Sequence, residues 1–150
     1  VSKLIVHATS ISCLIGGTWH GVLISGPSGV GKSDLALRAL SKGCALISDD
    51  YSVLWRSGDH LYAGAPDTIK GRIEVRGVGI TTLRTRHFSR ISLTVHCQNS
   101  AVERLPEPEF SDILGLKIPT LRLNPREASS VAKLLISLTQ TVRAPSIRLD

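Results

Sequence analysis

Eight consecutive residues carry the strongest chemical signal in the chain: Gly26-Pro27-Ser28-Gly29-Val30-Gly31-Lys32-Ser33. They fit G-x-x-x-x-G-K-[ST], the P-loop, which cradles polyphosphate with backbone N–H groups. Gly26, Gly29 and Gly31 permit the turns that aim those groups inward. A helix starting near Lys32 adds the positive end of its dipole. In such a loop the lysine reaches the β- and γ-phosphates and the hydroxyl of Ser33 ligates Mg2+. The apolar run Gly21-Val22-Leu23-Ile24-Ser25 precedes the loop, and a helical pattern from Asp34 to Leu40 follows it. Strand, loop and helix in that order separate a working phosphate loop from a glycine-rich turn. Nucleotide binding is therefore expected; the destination of the phosphate needs other residues.

Phosphoryl transfer needs acids to hold Mg2+ and, for a hydroxyl acceptor, a base to take the proton. Cys44 to Ser48 reads as a buried strand, and Asp49 and Asp50 stand at its carboxyl end. In an extended backbone two adjacent side chains point opposite ways, so one would face metal and the other the acceptor. Glu74 lies in Ile73-Glu74-Val75-Arg76-Gly77-Val78-Gly79-Ile80. A lone Glu on a strand is ordinarily a solvated face residue, and physics alone does not select it.

The elements that must position these groups read as strand-rich. Leu4 to Leu14 and Trp19 to Ser25 form a hairpin around Gly16-Gly17. The helix after the loop stops at Lys42-Gly43. Tyr51 to Arg56 and His60 to Ala63 form a second hairpin, and Pro66 to Lys70 one helical turn. Ile91 to Cys97 alternates, with Ile91, Leu93 and Val95 on one face. Pro106 and Pro108 mark a loop, and Ile113 to Leu123 reads as strands broken at Gly115 and Pro119. A last helix has Asn124 as N-cap, Pro125 in its first turn and an end near Gln140. Its Ala128, Val131, Ala132, Leu135 and Leu138 recur at core spacing. The final ten residues read as a loose tail. Most P-loop proteins alternate strand and helix; two helices among many strands argue against a small GTPase or an ordinary nucleoside kinase.

With 150 residues, one domain over 1–150 is expected. Lys and Arg number 18 against 12 Asp and Glu, a net +6 that suits a nucleotide and an acidic partner. Nucleic acid is not expected, because no binding motif is present and aromatics are 4% of residues. Cys13, Cys44 and Cys97 have neither metal-ligand nor disulfide-framework spacing. They read as reduced, buried thiols, which favours a cytoplasmic protein. No stretch is long enough to cross a membrane as a helix.

The P-loop, Ser48-Asp49-Asp50 and the segment EVRGVGI (74–80) occur in this order, and together they resemble the catalytic domain of the HPr kinase/phosphorylase family. That family's signature is close to E-[IV]-R-G-[LV]-G-[IV]. The segments RLPEPE (104–109) and LLISL (134–138) resemble its short proteobacterial members, which lack an N-terminal domain. The resemblance implies an α/β fold with a P-loop core of the phosphoenolpyruvate carboxykinase-like type. That core is a strand-rich mixed sheet with a P-loop helix and a C-terminal helix. It implies ATP-dependent phosphorylation of a serine on HPr, the phosphocarrier of the sugar phosphotransferase system. It also implies phosphorolysis with inorganic phosphate giving pyrophosphate, and assembly as a homo-hexamer.

Residue by residue, the resemblance places the phosphate loop on Gly26 to Ser33 and the base on Asp50. Asp49 beside it keeps the site electronegative or binds metal through water. Glu74 becomes the second Mg2+ ligand with Ser33, and Arg76 with the Gly77–Gly79 backbone completes the signature. The family's histidine falls on His7, with His20 as the competing candidate. Its loop arginine falls on Arg104, which would stabilise charge on the transferring group. Leu121 to Arg126 occupies the segment linked to the reverse reaction. Two other readings stand beside this one: a P-loop small-molecule kinase with Arg84, Arg86 and Arg90 as a basic lid, and a nucleotide-binding regulatory module.

Overall fold

A computed structural model of the chain describes residues 2–69 and 71–144. In chain order the elements are β1 (Lys3–Val6), β2 (Thr9–Ile15), β3 (Thr18–Ser25), α1 (Lys32–Leu40), β4 (Ala45–Ser48), β5 (Ser52–Ser57) and β6 (His60–Gly64). They continue with β7 (Arg72–Val75), β8 (Gly79–Thr82), β9 (Phe88–Cys97), β10 (Glu109–Ile113), β11 (Leu116–Leu123) and α2 (Ser130–Arg143). The strand-rich mixed sheet with two helices is the architecture expected from the sequence.

The main sheet runs β1-β5-β6-β9-β3-β2-β4, with β11 joined to β9 and β10 to β11. β9 ties it together. Its first residues pair antiparallel with β6, and its last pair parallel with both β3 and β11. That length works because Ser89, Ile91, Leu93, Val95 and Cys97 alternate into the interior. The carboxyl ends of the parallel strands β3 and β9 therefore lie side by side, and the P-loop leaves from β3.

Both helices pack on one core. Leu35, Ala36 and Ala39 of α1 and Val131, Leu134 and Leu138 of α2 meet Ile11, Val22, Ile24, Leu93 and Val95. Burying each large side chain there contributes roughly 1.5–3 kcal/mol. A second core beneath β5 and β6 gathers Leu23, Leu54, Leu61, Ile91 and Ile118.

Several boundaries differ from the sequence reading. Leu4 to Leu14 is two strands, because Val6 pairs with Ser52 of β5 whereas Thr9 pairs with Ile24 of β3. The bend at His7 and Ala8 lets one apolar run serve both partners. Asn124 and Pro125 lie outside α2. The Asn124 side chain accepts the Arg126 N–H, an Asx-type turn, and Ser129 is the N-cap. Ala128 and Ala132 are consequently exposed, and Leu134 takes the core position. Helix α2 continues past Gln140 to Arg143, into the stretch read as a tail; residues 145–150 of that tail lie outside the described residues. Pro119 does not break β11, which meets β9 only from Thr120, so the missing N–H falls before that ladder begins. The helical turn read at Pro66 to Lys70 is a 3-10 turn at Asp67–Ile69, and Lys70 lies outside the described residues.

Candidate functional site

The P-loop folds as its residue types require. Gly26 has φ 144°, and a Cβ there would lie 2.7 Å from the Cys97 carbonyl oxygen. Only glycine permits that approach between loop and β9. Gly31, at φ 114°, is the N-cap of α1 and supplies no side-chain cap. The first N–H groups of the helix are left for an anion. Lys32 is 6% exposed, and its ammonium donates to the carbonyls of Gly26 at 2.7 Å and Pro27 at 3.0 Å. The cation is thus held at the mouth of the loop. Beneath it, burial pushes the Cys97 thiol up to about 11, so that sulfur is a neutral packing group.

Strand β4 ends at Ser48 and delivers the two aspartates. The Ser33 hydroxyl donates to Asp49 Oδ1 at 2.7 Å, and Thr9 Oγ1 donates to the same oxygen at 3.2 Å. Asp50 is not extended, as the sequence reading assumed. Its φ is 66°, and the Tyr51 N–H reaches back to the Asp49 carbonyl at 2.7 Å. Those are the marks of a γ-turn with positive φ, a strained conformation for a residue other than glycine. The Asp50 N–H donates to Thr9 Oγ1 at 3.2 Å, which holds the turn. The two carboxylates still diverge, but a turn separates them. Asp49 faces Ser33, and Asp50 faces His7, whose Nε2 lies 3.4 Å from Asp50 Oδ1. The His7 ring also packs on Tyr51, with centroids 5.1 Å apart.

His7, Lys32, Ser33, Asp49 and Asp50 line one cavity of about 460 Å3, together with Glu74, Val75 and Arg76 from the β7–β8 hairpin. Lys32 and Arg76 are outnumbered there by Asp34, Asp49, Asp50 and Glu74. A polyphosphate alone would meet repulsion from those carboxylates, whereas a polyphosphate carrying a divalent cation would be matched. Of the two candidate histidines, His7 lines this cavity. His20 lines a different one of about 310 Å3, where its Nδ1 lies 3.0 Å from Ser92 Oγ. Arg104 is exposed in the 98–108 loop and does not line the phosphate cavity. Among the described residues, no group of three or more His, Cys, Asp and Glu converges as a metal cage.

The sequence reading missed Thr9, Asp34 and Arg38. Thr9 carries no motif, yet the Gly16-Gly17 turn fixes its pairing with Ile24, next to the loop. Arg38 donates from Nε to Asp34 at 2.9 Å and from Nη1 to Ser130 Oγ at 2.9 Å. It also donates to the Pro125 carbonyl. It fastens the phosphate-loop helix to the start of α2.

Comparison with known proteins gives the family and the fold. A family model described as HPr Serine kinase C-terminal domain matches residues 3–147. The HPr kinase/phosphorylase of Bordetella pertussis is 36% identical over 128 residues, covering 77% of this chain and 42% of that protein. That of Mycoplasmopsis pulmonis is 34% identical over 147 residues, covering 89% of this chain and 46% of its own length. The chain therefore spans less than half the length of these relatives. A solved structure, the Hpr(Ser) kinase/phosphatase from Coxiella burnetii, matches with TM-score 0.75 at 22% identity. That match covers 93% of this chain and 96% of the other, and at such identity the likeness is one of fold.

Proposed function

Because the chain belongs to the HPr serine kinase C-terminal domain family, we propose that it catalyses transfer of the γ-phosphoryl group of ATP to a serine of HPr. The observation that carries this is the continuous chain Ser33–Asp49–Thr9–Asp50–His7, which joins a phosphate loop to an accessible carboxylate. Transfer to a hydroxyl needs both ends of that chain within one cavity.

The roles follow from what each group is already doing. The P-loop N–H groups and Lys32 bind and orient the phosphates. Asp49 is engaged by two hydroxyls and serves the metal side. Asp50 is turned outward, with its side chain 64% exposed, and is free to take the serine proton. His7 holds Asp50 in place. Ser33 and Glu74 would hold Mg2+, which prefers few protein ligands plus phosphate oxygens and water. When bound, that ion supplies charge neutralisation between the phosphates. The excess of carboxylates over cations in the cavity fits it. In the reverse direction Asp50 would return the proton to the serine as inorganic phosphate attacks the phosphoserine, giving pyrophosphate. Arg104 would reach the transferring group only if its loop moves toward the cavity. Self-association, as a hexamer, is part of the same reading. It is supported by the exposed Ile5 and Phe88 around the Trp55–Tyr62 stack on the β1-β5-β6-β9 face.

Incubation with ATP, Mg2+ and HPr tests this directly. Phosphate on an HPr serine supports it. Nucleotide binding without transfer to HPr points to a regulatory module, and transfer to a small hydroxyl compound alone points to a small-molecule kinase.

A further inference from the structure

Cys13 and Cys44 are 3% and 2% exposed, and both are free thiols. Neither belongs to the phosphate cavity. β2 and β4 are antiparallel, with Ser12 opposite Ala45 and Ile11 opposite Leu46. One step further along the same register sets Cys13 directly opposite Cys44. The hydrogen bonds define the kind of pair. The Leu46 N–H points away from β2, to the Arg84 carbonyl, and the Cys44 N–H goes to the Ala39 carbonyl at the end of α1. Cys13 and Cys44 therefore form a non-hydrogen-bonded pair, the narrower of the two kinds, with Cα atoms about 4.5 Å apart. That separation lies inside the range a disulfide spans, about 4.4–6.8 Å.

The neighbouring Cys44 thiol and burial raise Cys13, and the Cys13 thiol lowers Cys44. Exposed chain adjoins both thiols: Leu14 follows Cys13, and Ser41, Lys42 and Gly43 precede Cys44. Cys97 lies apart from this pair, on β9 against Gly26 of the loop.

We propose that Cys13 and Cys44 are a redox modification site that closes to a reversible cross-strand disulfide with a small-molecule disulfide as oxidant. The Cys44 thiolate attacks one sulfur of the oxidant and expels one thiol, which takes up the released proton. Cys13 then attacks Cys44 Sγ, loses its proton and expels the second thiol. Two protein thiols are oxidised by two electrons, and one oxidant disulfide is reduced to two thiols. The bridge encloses β3, the P-loop and α1 in one covalent ring, sealing the phosphate-binding segment between two neighbouring strands. Such exchangeable bridges are the kind found even where thiols are normally kept reduced.

The test is incubation of the folded chain with oxidised glutathione, acid quenching, alkylation and peptide mass spectrometry. The expected product is a Cys13–Cys44 linked peptide with Cys97 alkylated, lost on treatment with dithiothreitol. Cys97→Ser should retain the link, and Cys44→Ser should abolish it. The oxidised chain should melt above the reduced one, because the ring constrains the unfolded state. A stable glutathione adduct with Cys13 still free, a link through Cys97, or a chain left unmodified would overturn the proposal. So would an oxidised chain that melts at or below the reduced one, since the bridge would then not fit the native sheet.

Discussion

The hydroxyl of Ser33 donates to Asp49 Oδ1 at 2.7 Å, joining the phosphate loop to the strand that leads into the second aspartate. In the proposed function this bond divides the roles of the two aspartates. Asp49 is tied to the loop and to Thr9, whereas Asp50 turns toward His7 and the open cavity. Replacing Ser33 or Asp49 by Ala should lower ATP affinity in the presence of Mg2+ by about tenfold or more, as expected for a hydrogen bond to a charged group. Affinity for ATP without Mg2+ should change little on Ser33→Ala and should rise on Asp49→Ala, which removes one of the repelling carboxylates. Titration calorimetry with and without the ion checks this, and equal losses in both conditions would remove Asp49 from the metal side.

His7 and His20 separate cleanly. His7→Ala should lower the rate of transfer by up to about a hundredfold through loss of the Asp50 geometry, with ATP affinity kept. His20→Ala should leave transfer near the parent rate, because His20 faces the other cavity. Single-turnover kinetics distinguishes the two, and the opposite order would exchange their roles.

Gly26→Ala should destabilise the fold by roughly 2–3 kcal/mol, from positive φ and from overlap with the Cys97 carbonyl at 2.7 Å. Urea denaturation measures it. A loss within the scatter of ordinary surface substitutions, about 0.5 kcal/mol, would mean the loop can back away from β9.

Much of this site was legible in the sequence, for definite reasons. A phosphate loop is contiguous and backbone-driven, so its residues announce themselves, and β4 was visible because Cys44 to Ser48 is apolar and ends in two acids. Thr9 was not legible. A hydroxyl on a strand gains meaning only when pairing places it beside Ile24 and the Asp49–Asp50 turn. The γ-turn at Asp50 escaped notice too, since nothing local predicts positive φ in an aspartate following an apolar strand. The start of α2 was misplaced because Asn124 and Pro125 are good initiation residues. The Asn124 side chain uses that propensity on an isolated turn, and Arg38 captures the Pro125 carbonyl from another helix.

His20 provides a pH test. Burial and the nearby Arg90 guanidinium lower it below its ordinary value of 6.5. The folded state therefore favours neutral imidazole, and the unfolded chain binds more protons in that window. Stability from this group is present above the ordinary histidine value and is lost as pH falls through the depressed one. Arg90→Gln should move the His20 titration upward, seen by NMR of its ring protons. An unchanged or lower midpoint would show that Arg90 exerts no such field.

The most direct measurement compares the parent chain with Asp50→Asn, each mixed with ATP, Mg2+ and HPr, with HPr examined by mass spectrometry and ATP binding followed in parallel. The predicted result is phosphoserine on HPr with the parent, and none above background with Asp50→Asn despite undiminished ATP binding. Phosphoserine formed by Asp50→Asn at the parent rate would contradict Asp50 as the base, and no phosphoserine with either chain would contradict transfer to HPr.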